Sequence, residues 1–179
     1  RPLRLNDLTD CIALLERLNA PAWLVRHHEL VGEAAQELQH GLDGTAVFGV
    51  IDWSNVIVGA GVHDVGKILH PREMSEPGSQ HEAAGMRMLL ELGCDPSVAV
   101  HCVAHADFES KDRTIEQLMV TLADKVWKGK RVEALEFRIA EHLALRTGQK
   151  RWSTWQQLTE VVDEVANRAD DRLRRSAVG

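Results

Sequence analysis

The sequence predicts an all-α fold, and three observations predict it. Apolar residues recur three and four positions apart along most of the 179 residues. Residues suited to helix starts, and glycines suited to helix stops, punctuate those runs. The one β-branched stretch, "TAVFGVI" at residues 45–51, has no second strand to pair with, so it reads as loop or short helix.

The elements follow in order. Asn6 or Asp7 is placed to cap a first helix, in which Leu8, Ile12, Leu15 and Leu18 fall at helical spacing. Pro21 opens a second, "AWLVRHHELVGEAAQELQHG", with Gly41 expected as its terminating glycine. Asp52 suits the cap of "WSNVIVGAGVHDVG", and turn-rich "HPREMSEPGS" separates that helix from "QHEAAGMRMLLELG", ending at Gly93. Pro96 fits the first turn of "SVAVHCVAHAD". Thr114 and Gln117 form a capping box for the helix bearing Ile115, Leu118, Leu122 and Val126. The next helix stops at Gly148, and Ser153 with Gln156 is expected to box the start of a last long one, with Leu158, Val161, Val165 and Ala169 facing inward. No linker, repeat or low-complexity segment interrupts this, so residues 1–179 are expected to form a single-domain helical bundle.

Composition narrows the function. A formal net charge of -6 argues against a grip on long nucleic acid, which requires neutralising many phosphates. No apolar run reaches the roughly 18 residues of a membrane span, and "RPLRLNDLTD" lacks the apolar segment of a signal peptide. The first residue is Arg1 and not Met, so trimming or a longer parent chain is expected. Three cysteines, Cys11, Cys94 and Cys102, form no C-x-x-C pair; a reducing cytoplasm is expected in place of a disulfide framework. Nine histidines and no tyrosine leave imidazole and carboxylate as the conspicuous chemistry.

Those groups are not scattered at random. His27 or His28, the doublet His63-Asp64, His81, His105 and Asp124 fall on different predicted helices or at their starts. Imidazole and carboxylate ligands suit borderline divalent ions, and helical bundles build metal sites from facing helices. An Asp beside a His is useful because its two oxygens can bridge two ions. Gly59, Ala60 and Gly61, just before the doublet in "GAGVHDVGKILHP", allow close helix approach.

The order H…HD…H…H…D, with "HDVGK" at the doublet and "LADK" at the last Asp, resembles the HD-domain metal-dependent phosphohydrolases over about residues 23–131. The resemblance implies a metal-binding core of about residues 22–131, followed by packing helices over about 131–177. It places the first ligand at His27, four residues before Val31, with His28 as its neighbour. His63, Asp64 and Asp124 complete the primary site, and His81 and His105 match the extra ligands of members holding two metals. Two divalent ions are thus implied, Fe or Mn foremost, with Co, Ni, Zn or Mg as alternatives.

The activity so implied is hydrolysis of a small phosphorylated metabolite or nucleotide by a metal-activated water, with Asp64 and Lys67 as catalytic groups. Lys67, one turn past His63, together with Lys128, Lys130 and Arg131 beyond Asp124, is expected to bind the phosphate. "HDVGKILHP" also looks like the motif of cyclic-dinucleotide phosphodiesterases, but their "GYP" is missing here. Some members of the fold use the same ligand set in a di-iron site to cleave C–C or C–P bonds with oxygen, and this is the alternative. His101 is either a support for His105 or a plain buried residue, and His40, His70 and His142 read as structural. Trp23, Trp152 and Trp155 are expected to pack helices; for Trp127 both core packing and contact with a base stay open.

Overall fold

The computed structural model describes residues 2–177, and every regular element among them is helical. Helix α1 (Leu8–Arg17) is capped by Asp7, whose side chain accepts from the Asp10 amide. α2 (Ala22–Leu42) follows Pro21, and α3 (Trp53–Val62) is capped by Asp52. The ambiguous 45–51 stretch contains only a short 3-10 turn, Phe48–Val50. α4 (Gln80–Glu91), α5 (Pro96–Ala99) and α6 (His101–Ala104) come next. α7 (Ile115–Val126) opens on the complete Thr114/Gln117 capping box. α8 (Glu133–Thr147) ends on Gly148 at φ 73°, a left-handed conformation that glycine adopts without a Cβ penalty. α9 (Arg151–Asn167) and α10 (Ala169–Ser176) close the chain.

Four boundaries differ from expectation. Gly41 lies inside α2, where a Cβ would come 2.5 Å from Val161 Cγ1, so it serves close packing on α9 and not helix termination. The segment from Pro96 divides at Val100 into α5 and α6. Ser153 lies inside α9, which starts at Arg151; there Thr154 instead donates to the Ala140 carbonyl of α8, at 2.7 Å. The last helix is also interrupted at Arg168, leaving α10 separate. α10 lies against α2: Arg172 is 1% exposed and pairs with Glu37, and Arg175 pairs with Glu33 at 2.9 Å.

Two apolar clusters make up the interior. The larger joins α2, α7, α8 and α9 through Val31, Leu38, Met119, Ile139 and Leu158. The smaller joins α1 to α4–α6 through Leu14, Leu89, Ala99 and Cys102. α3 belongs to both, giving Val56 and Ala60 to one and Val58 and Val62 to the other. Its C-terminal end therefore emerges deep between them, and His63 and Asp64 stand at that end. Small residues permit this approach: a Cβ on Gly59 would lie 2.5 Å from the His101 ring, and one on Gly61 2.7 Å from Cys11. Trp152, expected to pack helices, is instead 70% exposed.

Candidate metal centre

α3 stops at Val62, and the chain passes through His63 and Asp64 into a 3-10 turn, Val65–Ile68. Gly66 seats this turn on α4. A Cβ there would fall 1.9 Å from the His81 carbonyl oxygen, so only glycine lets the two backbones meet. That contact sets His81 opposite Asp64.

Asp64 is the centre of the arrangement. Its Oδ2 lies 3.3 Å from His27 Nε2, 3.6 Å from His63 Nε2 and 3.1 Å from Lys67 Nζ. Its Oδ1 lies 3.2 Å from His105 Nε2 and 3.4 Å from His81 Nε2. Asp124, on the last turn of α7, brings Oδ1 to 3.1 Å from His63 Nε2 and 3.7 Å from His27 Nε2. Two groups of donors result, His27/His63/Asp64/Asp124 and Asp64/His81/His105, each with its ligand atoms within 4.8 Å of one another. Asp64 is common to both and turns one oxygen to each.

The imidazoles are held ready to ligate. A ring whose Nδ1–H donates to a fixed acceptor presents, when neutral, the lone pair of Nε2. His63 donates to the Ala60 carbonyl at 2.9 Å, and His105 to that of His101 at 2.9 Å. His81 donates to the Glu73 carboxylate at 2.7 Å. His28, the neighbour of His27, lies outside both groups: its Nδ1–H donates to the Leu24 carbonyl, and its Nε2 accepts the Asp64 amide at 3.1 Å.

The electrostatics agree with this division. Burial, and after it the charges of His63 and His27, drive His28 well below the ordinary imidazole range, so it stays neutral and can accept. Burial also opposes protonation of His63, but the Asp64 and Asp124 carboxylates outweigh it and raise the ring to about 9. Burial likewise disfavours ionisation of Asp64 and Asp124. The charge of His63 overcomes it at both, helped by His105, His27 and His81 at Asp64, and both carboxyls are held well below their usual range.

A cation fits these residues. Asp64 Oδ1 and His27 Nε2 are buried without a hydrogen-bond partner, although each stands within 3.4 Å of an opposing polar atom. Unpartnered buried acceptors are costly, and a divalent ion in each donor group would satisfy them, His27 Nε2 in the first and Asp64 Oδ1 in the second. Nitrogen and carboxylate donors without thiolate suit Fe, Mn, Co, Ni or Zn.

The six residues expected as ligands thus converge, and Lys67 joins them. The substrate residues expected beyond Asp124 make no ion pair with the cluster carboxylates. Arg131 is held by Glu136, at 2.9 and 2.6 Å, and by Asp163, in a clasp between α8 and α9. Its guanidinium is thus engaged by carboxylates outside both donor groups. Lys128 and Lys130 are exposed and make no ion pair with the Asp64 or Asp124 carboxylates. Trp127 is 8% exposed and packs edge-on against His27 with centroids 5.4 Å apart. His101 contributes its carbonyl to His105, while its buried ring turns to Asn55 Oδ1 at 2.7 Å. Sequence reading missed Glu73 and Asn55. Neither carries a periodic or motif signal, because each reaches its histidine across a turn or between helices.

An all-α domain with a buried His/Asp cluster able to hold divalent metal is the class that fold and site define. The chain belongs to the HD domain family, whose model matches residues 24–127. That stretch contains both donor groups, and it places the protein in a superfamily of metal-dependent hydrolases. No curated protein and no solved structure matches the chain. Among the described residues, no helix is long and apolar enough to cross a membrane.

Proposed function

We propose that the protein is a phosphohydrolase that binds two divalent metal ions and cleaves a phosphate ester of a small metabolite or nucleotide. One observation carries this reading: Asp64 turns Oδ2 to one donor group and Oδ1 to the other, with the Lys67 ammonium 3.1 Å from Oδ2. Bound divalent ions supply Lewis acidity and make a water deprotonatable near neutral pH. His27, His63 and Asp124 would hold one ion together with Asp64, and His81 and His105 would hold the other with the same carboxylate. Lys67 Nζ is the cation available to a phosphoryl oxygen, and it stabilises the charge that builds there as the ester breaks. His63 is fully buried and Asp64 only 4% exposed, which limits water and strengthens these interactions.

The test is a panel of phosphorylated metabolites and nucleotides, assayed without oxygen, with the metal-free protein reloaded with Mn, Fe or Co. Hydrolysis of a phosphate mono- or diester supported by Mn or Co, and lost in His63→Ala and Asp64→Ala, is the expected result. Turnover that requires both Fe and oxygen would assign the site to the oxygen-dependent members of the fold instead.

A further inference from the structure

We infer that Glu73 is the positioning residue of the second donor group: its carboxylate aims His81 at Asp64 and supplies the negative charge that group otherwise lacks. The inference rests on the two-ion reading above. Glu73 belongs to a short 3-10 turn, Pro71–Met74, outside the helices that carry the cluster. Its side chain is only 11% exposed and collects three donors. Oε2 accepts the Gln80 amide at 3.1 Å, and Oε1 accepts both the His81 amide, at 3.0 Å, and the His81 ring Nδ1–H, at 2.7 Å.

Part of this is helix capping. Ser79, at the N-cap of α4, makes no side-chain bond, and Glu73 takes the first amides in its place. Capping alone does not call for the ring contact, which is the shortest of the three. That contact decides the tautomer, since a carboxylate can only accept; Nδ1 therefore carries the proton and Nε2 keeps its lone pair toward Asp64 Oδ1. His63 and His105 rest on neutral main-chain carbonyls, so of these three rings only His81 has an ionised anchor.

Charge makes the difference matter. The first donor group contains two carboxylates, Asp64 and Asp124, and the second contains Asp64 alone, shared with the first. Glu73, bonded to the far side of His81, adds a negative charge at one remove and raises the basicity of the ring as a ligand.

Glu73→Gln keeps an oxygen for the ring and removes the charge. Metal-free wild type and variant are titrated with Co(II), followed by calorimetry and by the visible absorption of the bound ion, and their urea unfolding is compared without metal. The expected result is two binding steps in wild type. In the variant the first step is unchanged, and the second is weakened about 10- to 100-fold with an altered spectrum. An unchanged second step overturns the role of Glu73. So does a variant in which both steps and metal-free stability fall together, because that describes a helix cap alone. A wild type that binds one equivalent overturns the two-ion reading and Glu73's part in it. Two binding steps, of which only the second depends on Glu73, in a protein that hydrolyses no phosphate mono- or diester refute the hydrolase assignment and leave this inference standing.

Discussion

His28 Nε2 accepts the main-chain N–H of Asp64 at 3.1 Å, so the bridging carboxylate is held from behind by an imidazole outside the cluster. His27 and His28 are adjacent on α2, and about 100° of helical rotation separates their directions. One ring faces the cluster and the other fastens its central residue.

The two should fail differently. His28→Leu strands a buried amide and is expected to cost about 1–3 kcal/mol in the metal-free protein. His27→Ala is expected to leave metal-free stability closer to wild type and to abolish the first metal-binding step. Urea unfolding with chelator present, followed by metal titration, checks both. Equal destabilisation by the two substitutions would contradict the division.

Gly66→Ala is expected to destabilise by about 1–3 kcal/mol or more, because its methyl meets backbone and not a movable side chain. The turn must then lift from α4, which moves His81 away from Asp64. Weakened binding of the second metal should accompany the loss of thermal stability. Gly44→Ala, at φ 82° with open space around it, serves as a comparison that strains the backbone without touching the site.

Metal-free stability is expected to fall on both sides of about pH 6.5. The folded-state value of His63 is raised to about 9, so its contribution is complete below 6.5 and is lost as pH rises toward 9. That limb is on the order of 3 kcal/mol. His101 is lowered to about 3, first by burial and then by the charges of His63 and His105. The unfolded chain therefore binds the extra proton between pH 6.5 and 3, and stability falls as pH drops through that window. Metal requires His63 deprotonated, so its addition should restore the alkaline limb with release of protons. Chemical denaturation at several pH values, with and without Mn, measures this; an alkaline limb unaffected by metal would contradict it.

Arg131 and Lys67 separate clasp from catalysis. Arg131→Met leaves Glu136, 2% exposed, without its cation; because Arg131 itself is partly solvated, a loss of about 1–3 kcal/mol is expected. Its kcat/KM should stay near wild type. Lys67→Met should reduce kcat/KM about a hundredfold or more with little change in stability. The reverse pattern would return Arg131 to the substrate.

The helical class, most of the caps and the converging ligand set, with His27 or His28 as its first member, were legible in the sequence. Periodicity, Asp and Thr caps, and the ordered spacing of His and Asp are local signals. The Asp7 and Asp52 caps, the Thr114/Gln117 box and the Gly148 stop each depend on residues within one turn, and each formed as expected. What failed depended on partners distant in the chain. Gly41 looked like a stop until Val161 came against it, and nothing local foretold that Glu136 and Asp163 would close on Arg131.

The sequence by itself determined that this is an all-α protein carrying the ligand set of the HD domain family. Only the tertiary structure decided that His27 faces the cluster while His28 supports Asp64, and that Glu73 anchors His81. Adjacent or isolated polar residues carry no mark of direction. Their roles follow from which backbone atoms and charges the packed helices bring within hydrogen-bond reach.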